Sequence, residues 1–367
     1  MFRQYRLRDY RFSLMIYVVL LSIIGVMVIG SAQKVFQTRQ MYGLVLGVIM
    51  MIVLSLVDYT WLLNFSWAFY VAGNVLLIAV LIFGENINGA TRWIRLGIQF
   101  QPSDLVKIIL ILFFAGLFSK NEDKLNTFRF VMFSLMLLAI PLLLIYREPD
   151  LSTTIVTALT FCAIIFSAGL SFKIIGGILL VVVPSVVIFF SIILRPGQTL
   201  LKDYQLERIM AWLKPLQYKD GAYQQQNSII AIGSGQLYGK GLNNNMVSSV
   251  KGGNFIAEPQ TDFIFAVAGE ELGFLGCCLI VILEFLIAAE CIRIGRRAKD
   301  LAGTCIGSGL GALIMAQSFM NICVATGLLP NTGLPLPFIS YGVTSLITLC
   351  MGVGIVINIG LQNNRYR

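Results

Sequence analysis

The chain has 367 residues, of which 57% are hydrophobic and only 12% are charged, with a formal net charge of +9 at pH 7. Its mean hydropathy is +0.83. Soluble domains are usually about one quarter charged, so this composition excludes an ordinary soluble protein and indicates one membrane-embedded unit over residues 1–367. The sequence contains no histidine, which excludes imidazole ligands and leaves carboxylates, lysines and tyrosines as bases. The seven cysteines are unevenly spaced in apolar sequence and predict no disulfide framework.

Apolar runs of span length predict an all-α polytopic membrane protein with ten transmembrane helices. The first run follows Arg11 and ends near Gly30; it is longer than a signal-peptide core, so we expect it to stay uncleaved. The other spans are predicted at about 41–57, 66–84, 103–119, 129–146, 152–169, 173–194, 262–292, 303–328 and 341–361. The eighth is the longest and is expected to tilt or to project from the membrane. Residues from about 195 to 261 form a large predicted extracytoplasmic loop between helices 7 and 8.

The distribution of lysine and arginine predicts the orientation. With the N-terminus in the cytoplasm, most basic residues next to the spans fall on the cytoplasmic side, as the positive-inside rule requires. We therefore expect a multi-pass protein with both termini in the cytoplasm. The segments with candidate chemistry then all face the outer side.

The most informative of these segments joins a polar loop to a long apolar helix. Glu258 and Asp262 lie there, four residues apart. Carboxylates at the mouth of a span are costly to desolvate, which indicates a function. Alternatively, Thr261 or Asp262 caps a helix whose first turn favours negative charge. These residues by themselves leave both interpretations open.

A second outer segment combines aromatic and charged residues. Trp93 lies between Arg92 and Arg95, a pattern that suits a headgroup-level phosphate site but also an ordinary interfacial anchor. Asp104 and Lys107 follow one helical turn apart, on the same face. Because a lysine inside a span needs a partner, we predict that these two side chains form an ion pair.

Three further outer segments have recognisable local patterns. A short loop alternates charges from Arg147 to Asp150. The large loop contains a predicted amphipathic interfacial helix with apolar residues at Leu206, Ile209, Met210 and Leu213. The glycine-containing stretch 223–241 is expected to form turns that approach a ligand. Three prolines exclude a helix after the ninth span, so an outer or re-entrant loop is predicted around Pro330, Pro335 and Pro337.

Together these segments resemble the SEDS family (shape, elongation, division and sporulation proteins) over almost the whole chain. The resemblance is carried by Arg-Trp-Ile at 92–94, Gln-Pro-Ser-Asp-Leu-Val-Lys at 101–107, Glu-Pro-Asp-Leu-Ser at 148–152, Ala-Ile-Gly-Ser-Gly at 231–235, Thr-Asp-Phe-Ile-Phe at 261–265, Gly-Glu-Glu-Leu-Gly at 269–273 and Gly-Leu-Pro-Leu-Pro-Phe-Ile-Ser-Tyr-Gly at 333–342. The chain departs from the family at Asp104, where Glu is usual, at Ser152 and Val343, where Gly is frequent, and at Gln260, where His is common. The first departure leaves the geometry of the predicted ion pair open.

The resemblance implies a peptidoglycan glycosyltransferase that polymerises lipid II at the outer face of the bacterial cytoplasmic membrane. It also implies a class B penicillin-binding protein as partner, in cell-shape, division or spore-wall synthesis. Asp262 matches the essential acid, and Asp104 with Lys107 matches a second functional pair. Candidate ligands for the diphosphate and the headgroup are Arg92, Trp93, Arg95, Arg147, Asp150, Glu258, Ser340 and Tyr341. A divalent cation, Mg²⁺ or Mn²⁺, bound at Asp262 is an open option; membrane lipids are expected partners, and nucleic acid is not.

Two other classes of function fit part of the pattern. A lipid flippase or transporter would also have intramembrane charge and broken helices, although the sequence shows no internal repeat and its charged groups cluster on one side. A non-catalytic scaffold is the other alternative. The short terminal segments favour a RodA-like role over an FtsW-like or SpoVE-like one. For a partner helix, apolar surface on spans eight and nine is expected, with close approach at Gly307, Gly309 and Gly311.

Overall fold

The computed structural model describes residues 10–87, 90–95, 99–174, 176–177, 180, 184, 203–243, 249, 253 and 255–362. Its helices are α1 (Phe12–Ala32), α2 (Lys34–Leu56), α3 (Tyr59–Asn64), α4 (Ser66–Phe83), α5 (Pro102–Lys120), α6 (Phe128–Arg147), α7 (Leu151–Ser167), α8 (Asp203–Leu213), α9 (Lys219–Ser234), α10 (Ile264–Arg296), α11 (Leu301–Ala325) and α12 (Val343–Gln362).

Every predicted span other than 173–194 overlaps an observed helix. Within the described ranges, eight helices are long and apolar enough to cross a membrane: α1, α2, α4, α5, α6, α10, α11 and α12. The shorter apolar helix α7 has 17 residues and matches the sixth predicted span. The predicted span at 173–194 lies largely outside the described residues. A total of ten transmembrane helices therefore stays a prediction.

The expectation of an all-α fold is wrong in one place. Between α4 and α5 the chain forms a small antiparallel sheet of β1 (Glu85–Ile87), β2 (Ala90–Arg95) and β3 (Gln99–Phe100), in the order β1-β2-β3. Its middle strand contains Trp93 and Ile94, residue types that favour an extended, half-buried backbone. This sheet leads directly into α5 and carries Arg92 and Trp93 towards it.

The core of the bundle is built around α5, most of whose side chains are buried. Phe113 stacks on Tyr70 of α4 with ring centroids 4.2 Å apart. Phe114 packs edge-on against Phe161 of α7 at 4.7 Å. Aromatic pairs of this kind stabilise packing beyond the area they bury. The first turn of α5, which carries the predicted ion pair, therefore projects from a closely packed helix.

The long helix α10 is broken at Gly273, whose backbone is not helical (φ 68°, ψ −167°). A Cβ at this position would clash with the backbone of Gly239, so the close approach requires glycine. The neighbouring backbone compensates, because the amide of Lys240 donates to the carbonyl of Glu270 at 2.9 Å. The side chains of Lys240 and Glu270 also form an ion pair, with Lys240 Nζ 2.7 Å from Glu270 Oε1. The segment 264–272 is therefore separated by a break from the rest of α10, whereas the sequence predicted one continuous span.

The described segment 203–235 is docked on the helix bundle. The stretch 223–235, expected to form turns, lies mostly within α9. Gln225 and Ser228 of this helix donate to carbonyls at the C-terminal end of α11, at 2.8 and 2.7 Å, and the indole of Trp212 in α8 donates to the carbonyl of Gly327 at 2.9 Å. These bonds engage carbonyls at and just beyond the end of α11, where bonds within a helix run out, and they hold α8 and α9 over the bundle.

The glycines of α11 face the inside of the chain. A Cβ on Gly309 would lie 2.8 Å from a side-chain carbon of Ile164 in α7, and one on Gly307 would lie 2.6 Å from the backbone of Gly295 in α10. A Cβ on Gly311 would also meet α10. Small residues here allow close packing between helices of the same chain. The expectation that they contact a partner helix is wrong.

Candidate active site

A cavity of about 220 Å³ opens where β2, the first turn of α5, the start of α7, the helix α8 and the loops before α10 and α12 meet. Many residues singled out from the sequence line it: Arg92, Trp93, Asp104, Lys107, Asp150, Glu258, Asp262 and Tyr341. These residues are far apart in the sequence. The fold therefore gathers cations, carboxylates and aromatic rings around one space.

The predicted ion pair between Asp104 and Lys107 is confirmed. The Lys107 ammonium nitrogen lies 2.8 Å from Asp104 Oδ1. It also donates to Gln317 Oε1 of α11 at 3.3 Å. Aspartate therefore reaches the lysine although the resembling family usually has the longer glutamate. The pair is buried at the wall of the cavity, where a lone charge would be costly.

Arg92 is held by the loop between α6 and α7. Its Nε donates to the carbonyl of Glu148 at 3.2 Å, and its Nη2 donates to the carbonyl of Pro149. Its Nη1 lies 3.6 Å from Asp150 Oδ2. The other oxygen of Asp150 accepts from the amide of Thr153 at 3.0 Å and so caps α7. Asp150 thus orients the Arg92 guanidinium at the cavity and also caps the N-terminus of α7.

Glu148 is fully buried, and neither oxygen of its side chain has a hydrogen-bond partner among the described residues. Burial, and secondly the negative charge of Asp150, raise its pKa to about 8, against the opposing influence of Arg92. The carboxyl group is therefore neutral at pH 7.

Asp262 does not cap α10. The helix begins at Ile264, preceded by Phe263, and no side chain caps its first turn. The backbone carbonyl of Asp262 accepts from Asn321 Nδ2 of α11 at 2.8 Å. Its side chain faces Gly333, where φ is +70° and a Cβ would stand 3.3 Å from Asp262 Oδ2. The capping interpretation is wrong for this residue, and its carboxylate is directed to the cavity.

The environment of Asp262 makes it a stronger base than an ordinary aspartate. Burial and the nearby charge of Glu258 raise its pKa to about 6; Arg208 and Arg92 lower it, and Asp150 adds a smaller increase. A base is most effective when its pKa lies near the working pH. Asp262 is mostly ionised at pH 7 and still accepts a proton readily.

Ser340 and Tyr341, both in the loop before α12, make different contacts. The hydroxyl of Ser340 accepts from the amide of Leu336 and donates to the carbonyl of Thr261, both at 2.7 Å. Ser340 therefore ties the loop before α12 to the loop before α10 and does not line the cavity. Tyr341 does line it, and its ring packs on Phe36 with centroids 4.4 Å apart.

Arg147 and Arg95 are the two remaining predicted arginines. Arg147 is exposed at the C-terminal end of α6 and is not among the described residues that line the cavity. Arg95 lies in β2, but its side chain falls outside the described residues.

The sequence did not identify Arg208 as a site residue. It lies between the apolar positions Leu206 and Ile209 of the predicted amphipathic helix, and in the structure it lines the cavity together with Glu258 and Asp262. Local periodicity shows that a residue lies opposite an apolar face, but not what that face meets. Thr344 and Ser345 at the start of α12 also line the cavity and were not predicted.

In the described part of the chain, no group of three or more Cys, Asp or Glu side chains is arranged to hold a metal ion. Glu258 and Asp262 nevertheless both line the cavity. Magnesium is often bound by only one or two carboxylates together with substrate phosphates. The residues present fit that kind of substrate-completed site.

The sequence of this chain matches one known protein family and relatives with assigned activities. The family model of the cell cycle proteins FtsW, RodA and SpoVE matches residues 10–365. The probable peptidoglycan glycosyltransferase FtsW of Neisseria gonorrhoeae is 32% identical over 354 residues, covering 83% of this chain and 72% of the relative. The peptidoglycan glycosyltransferase MrdB of Escherichia coli K12 is 34% identical over 333 residues, covering 90% and 87%.

Two solved structures are similar to this chain over almost its whole length. The rod shape determining protein RodA of Thermus thermophilus superposes with a TM-score of 0.69 at 26% identity, covering 98% of each chain. A chain from a peptidoglycan synthase complex, solved to show how polymerisation and crosslinking are coordinated, superposes with a TM-score of 0.78 at 26% identity. That match covers 97% of this chain and 99% of the other.

Proposed function

The chain belongs to the FtsW, RodA and SpoVE family and is a membrane-embedded peptidoglycan glycosyltransferase; on that premise we propose that it polymerises lipid II with Asp262 as the catalytic base. The observation that carries the proposal is the shared cavity, where Asp262 lies with Lys107, Arg92 and Arg208. Glycosyl transfer from a lipid diphosphate needs both a base and cations. This cavity contains them together.

Asp262 acts on the acceptor sugar. Its carboxylate takes the proton of the acceptor hydroxyl while the oxygen attacks the anomeric carbon of the donor. The bond between that carbon and the diphosphate breaks, and the lipid diphosphate leaves with the electron pair. A pKa of about 6 suits this task because the carboxylate is available at neutral pH.

The cations stabilise the departing diphosphate. Arg92 and Arg208 are suited to bidentate contacts with phosphate oxygens, and Lys107 adds a buried positive charge. Charge that develops in the transition state is stabilised most when the donors are already in place. The bonds of Arg92 to the loop carbonyls and the bonds of Lys107 to Asp104 and Gln317 hold these groups before substrate arrives.

A divalent cation has a place in this scheme. Mg²⁺ or Mn²⁺ would be held by Asp262 and Glu258 together with diphosphate oxygens, and it would neutralise charge on the leaving group. The roles of the protein side chains described above do not depend on it.

The reaction is placed at the outer face of the bacterial cytoplasmic membrane, with both termini in the cytoplasm. The basic residues next to the spans support this orientation. Single cysteines at Trp93, Tyr223, Asp262 and Pro335 should react with an impermeant maleimide in intact cells. Labelling that appears only after lysis would reverse the assignment.

We place a class B penicillin-binding protein beside this chain as its crosslinking partner. The solved synthase complex that couples polymerisation to crosslinking supports this choice, since one of its chains shares the fold. Large apolar side chains are exposed along α10 and α11, among them Ile282, Phe285 and Phe319. Phe285→Ala should weaken co-purification of the partner, whereas Phe83→Ala on the exposed face of α4 should not. Equal co-purification would direct attention to another surface.

Purified protein given fluorescent lipid II in detergent or vesicles tests the proposed function. We expect a ladder of glycan polymer with the wild-type chain and none with Asp262→Asn. Translocation of lipid II without polymer would indicate a flippase, and neither product would indicate a scaffold.

A further inference from the structure

Two amide side chains of α11, Gln317 and Asn321, lie one helical turn apart behind the cavity. Each is only 1% exposed, and neither lines the cavity. Buried amides need hydrogen-bond partners because leaving them without one is costly. The amide nitrogens of both residues donate to backbone carbonyls at the candidate active site, and Gln317 also accepts from Lys107, whereas Asn321 Oδ1 has no hydrogen-bond partner among the described residues.

Gln317 joins the cation of the site to the proline-rich loop. Its Oε1 accepts from the ammonium group of Lys107 at 3.3 Å, and its Nε2 donates to the carbonyl of Pro335 at 3.0 Å. Lys107 and Pro335 both line the cavity. A single side chain therefore contacts two walls of the site.

Asn321 likewise connects Asp262, the proposed base, to the proline-rich loop. Its Nδ2 donates to the carbonyl of Asp262 at 2.8 Å and to the carbonyl of Leu334 at 2.6 Å. Leu334 follows Gly333, the residue that the Asp262 side chain faces. The backbone on both sides of the Asp262 carboxylate is thus anchored to one amide.

We propose that Gln317 and Asn321 are positioning residues that hold Lys107 and Asp262 at a defined separation across the cavity. Residues four apart in a helix are separated by about 6 Å along its axis and lie on one face, so α11 acts as a rigid spacer between the two contacts. The meaning of this spacing for catalysis rests on the proposed function of Asp262 and Lys107. The spacing itself does not, and it can be measured separately.

The kinetic test uses nearly isosteric apolar replacements, Gln317→Met and Asn321→Leu. We expect each to lower kcat by about tenfold or more with a smaller change in KM, because small displacements of reacting groups can lower rates by about 10²-fold. The matched control is Ser318→Ala on the same helix, whose hydroxyl donates to the carbonyl of Ile314 and does not contact the cavity residues described above. It should stay within about twofold of wild type. A wild-type kcat in both folded amide variants would overturn the proposal.

The conservative variant Gln317→Glu separates positioning from general stability. It keeps an oxygen for Lys107 and loses the donor to the Pro335 carbonyl. We expect it to retain more kcat than Gln317→Met, and equal losses would remove Lys107 from the proposal. Should Asn321→Leu fail to accumulate, the Gln317 variants decide the outcome.

A chemical probe reports the position of residue 262 without using activity. In Asp262→Cys protein, the rate of maleimide labelling at that site is measured by peptide mass spectrometry. Adding Asn321→Leu should change this rate at least about threefold, since an anchored backbone segment has been released. An unchanged rate would overturn the positioning role of Asn321. Normal polymerisation by Asp262→Asn would instead refute the proposed function and leave the labelling result standing.

Discussion

The Lys107 ammonium nitrogen lies 2.8 Å from Asp104 Oδ1, with only 4% and 9% of the two side chains exposed. Each charge stabilises the other in a region that water scarcely reaches. The Gln317 oxygen adds a further partner for the lysine. Removing one member of such a pair is therefore different from removing both.

Lys107→Ala should lower the yield of folded protein, because it leaves the Asp104 carboxylate buried without its cation. Breaking a buried pair costs about 3–5 kcal/mol, whereas replacing both partners by small apolar residues costs less. The double variant Asp104→Ala/Lys107→Ala should therefore accumulate better than the single one and still lack polymerase activity. Fluorescence-detected size exclusion and lipid II polymerisation measure the two effects. A single variant with normal yield and full activity would contradict both roles.

Asp262→Asn should express normally and lose polymerisation. The side chain keeps its shape and caps no helix, so folding has little reason to change. Removal of a positioned general base lowers rates by about 10²–10⁴-fold. Asp262→Glu should also be strongly impaired because the carboxylate is displaced by one methylene. Glu258→Gln, at the same cavity, is the control and should do less harm; near wild-type polymerisation by Asp262→Asn would leave Glu258 as the next base to test.

The rate of polymerisation should depend on pH through Asp262. Its pKa is raised to about 6, and the carboxylate is the form that accepts a proton. Below that value kcat/KM should fall about tenfold per pH unit, and above about pH 7 it should level off. The profile is measured with fluorescent lipid II between about pH 5 and about pH 8, a range that extends at least about one unit to each side of the pKa. A flat profile in a folded protein would exclude Asp262 as the titrating base.

Glu148→Gln should leave polymerisation at pH 7 within about twofold of wild type, because the amide resembles the neutral acid that burial favours. Asp150→Asn should be impaired, since it removes the negative charge beside Arg92. Asparagine caps a helix as well as aspartate, so this loss cannot come from the start of α7. Equal effects of the two substitutions would contradict the assignment of charge in this loop.

Arg208→Gln should lower kcat/KM for lipid II by about 10- to 150-fold if the guanidinium binds the diphosphate, as expected for a charge-assisted hydrogen bond. Arg147→Gln is the matched control, because Arg147 is exposed outside the cavity. It should have nearly wild-type kinetics. A larger effect at Arg147 than at Arg208 would mean that substrate binds elsewhere.

Sequence alone determined the features that depend on neighbouring residues. Span-length apolar runs predicted the helices that cross the membrane, and the spacing of Asp104 and Lys107 predicted their ion pair. Both follow from helix geometry and from the poor solvation of charge in an apolar surrounding. The motifs also single out Asp262, for which the sequence alone is compatible with both a catalytic role and a helix cap.

Only the tertiary structure decided which distant residues meet. It brought Arg208 into the cavity and left Arg147 outside, turned Gly309 towards α7, and broke α10 at Gly273. It also placed Asn321 against the carbonyl of Asp262. Periodicity defines the face of a helix on which a residue lies, but the partner of that face is chosen by packing between segments far apart in the chain. The contacts of Asn321 with Asp262 and of Gln317 with Lys107 therefore appear only when the helices are assembled.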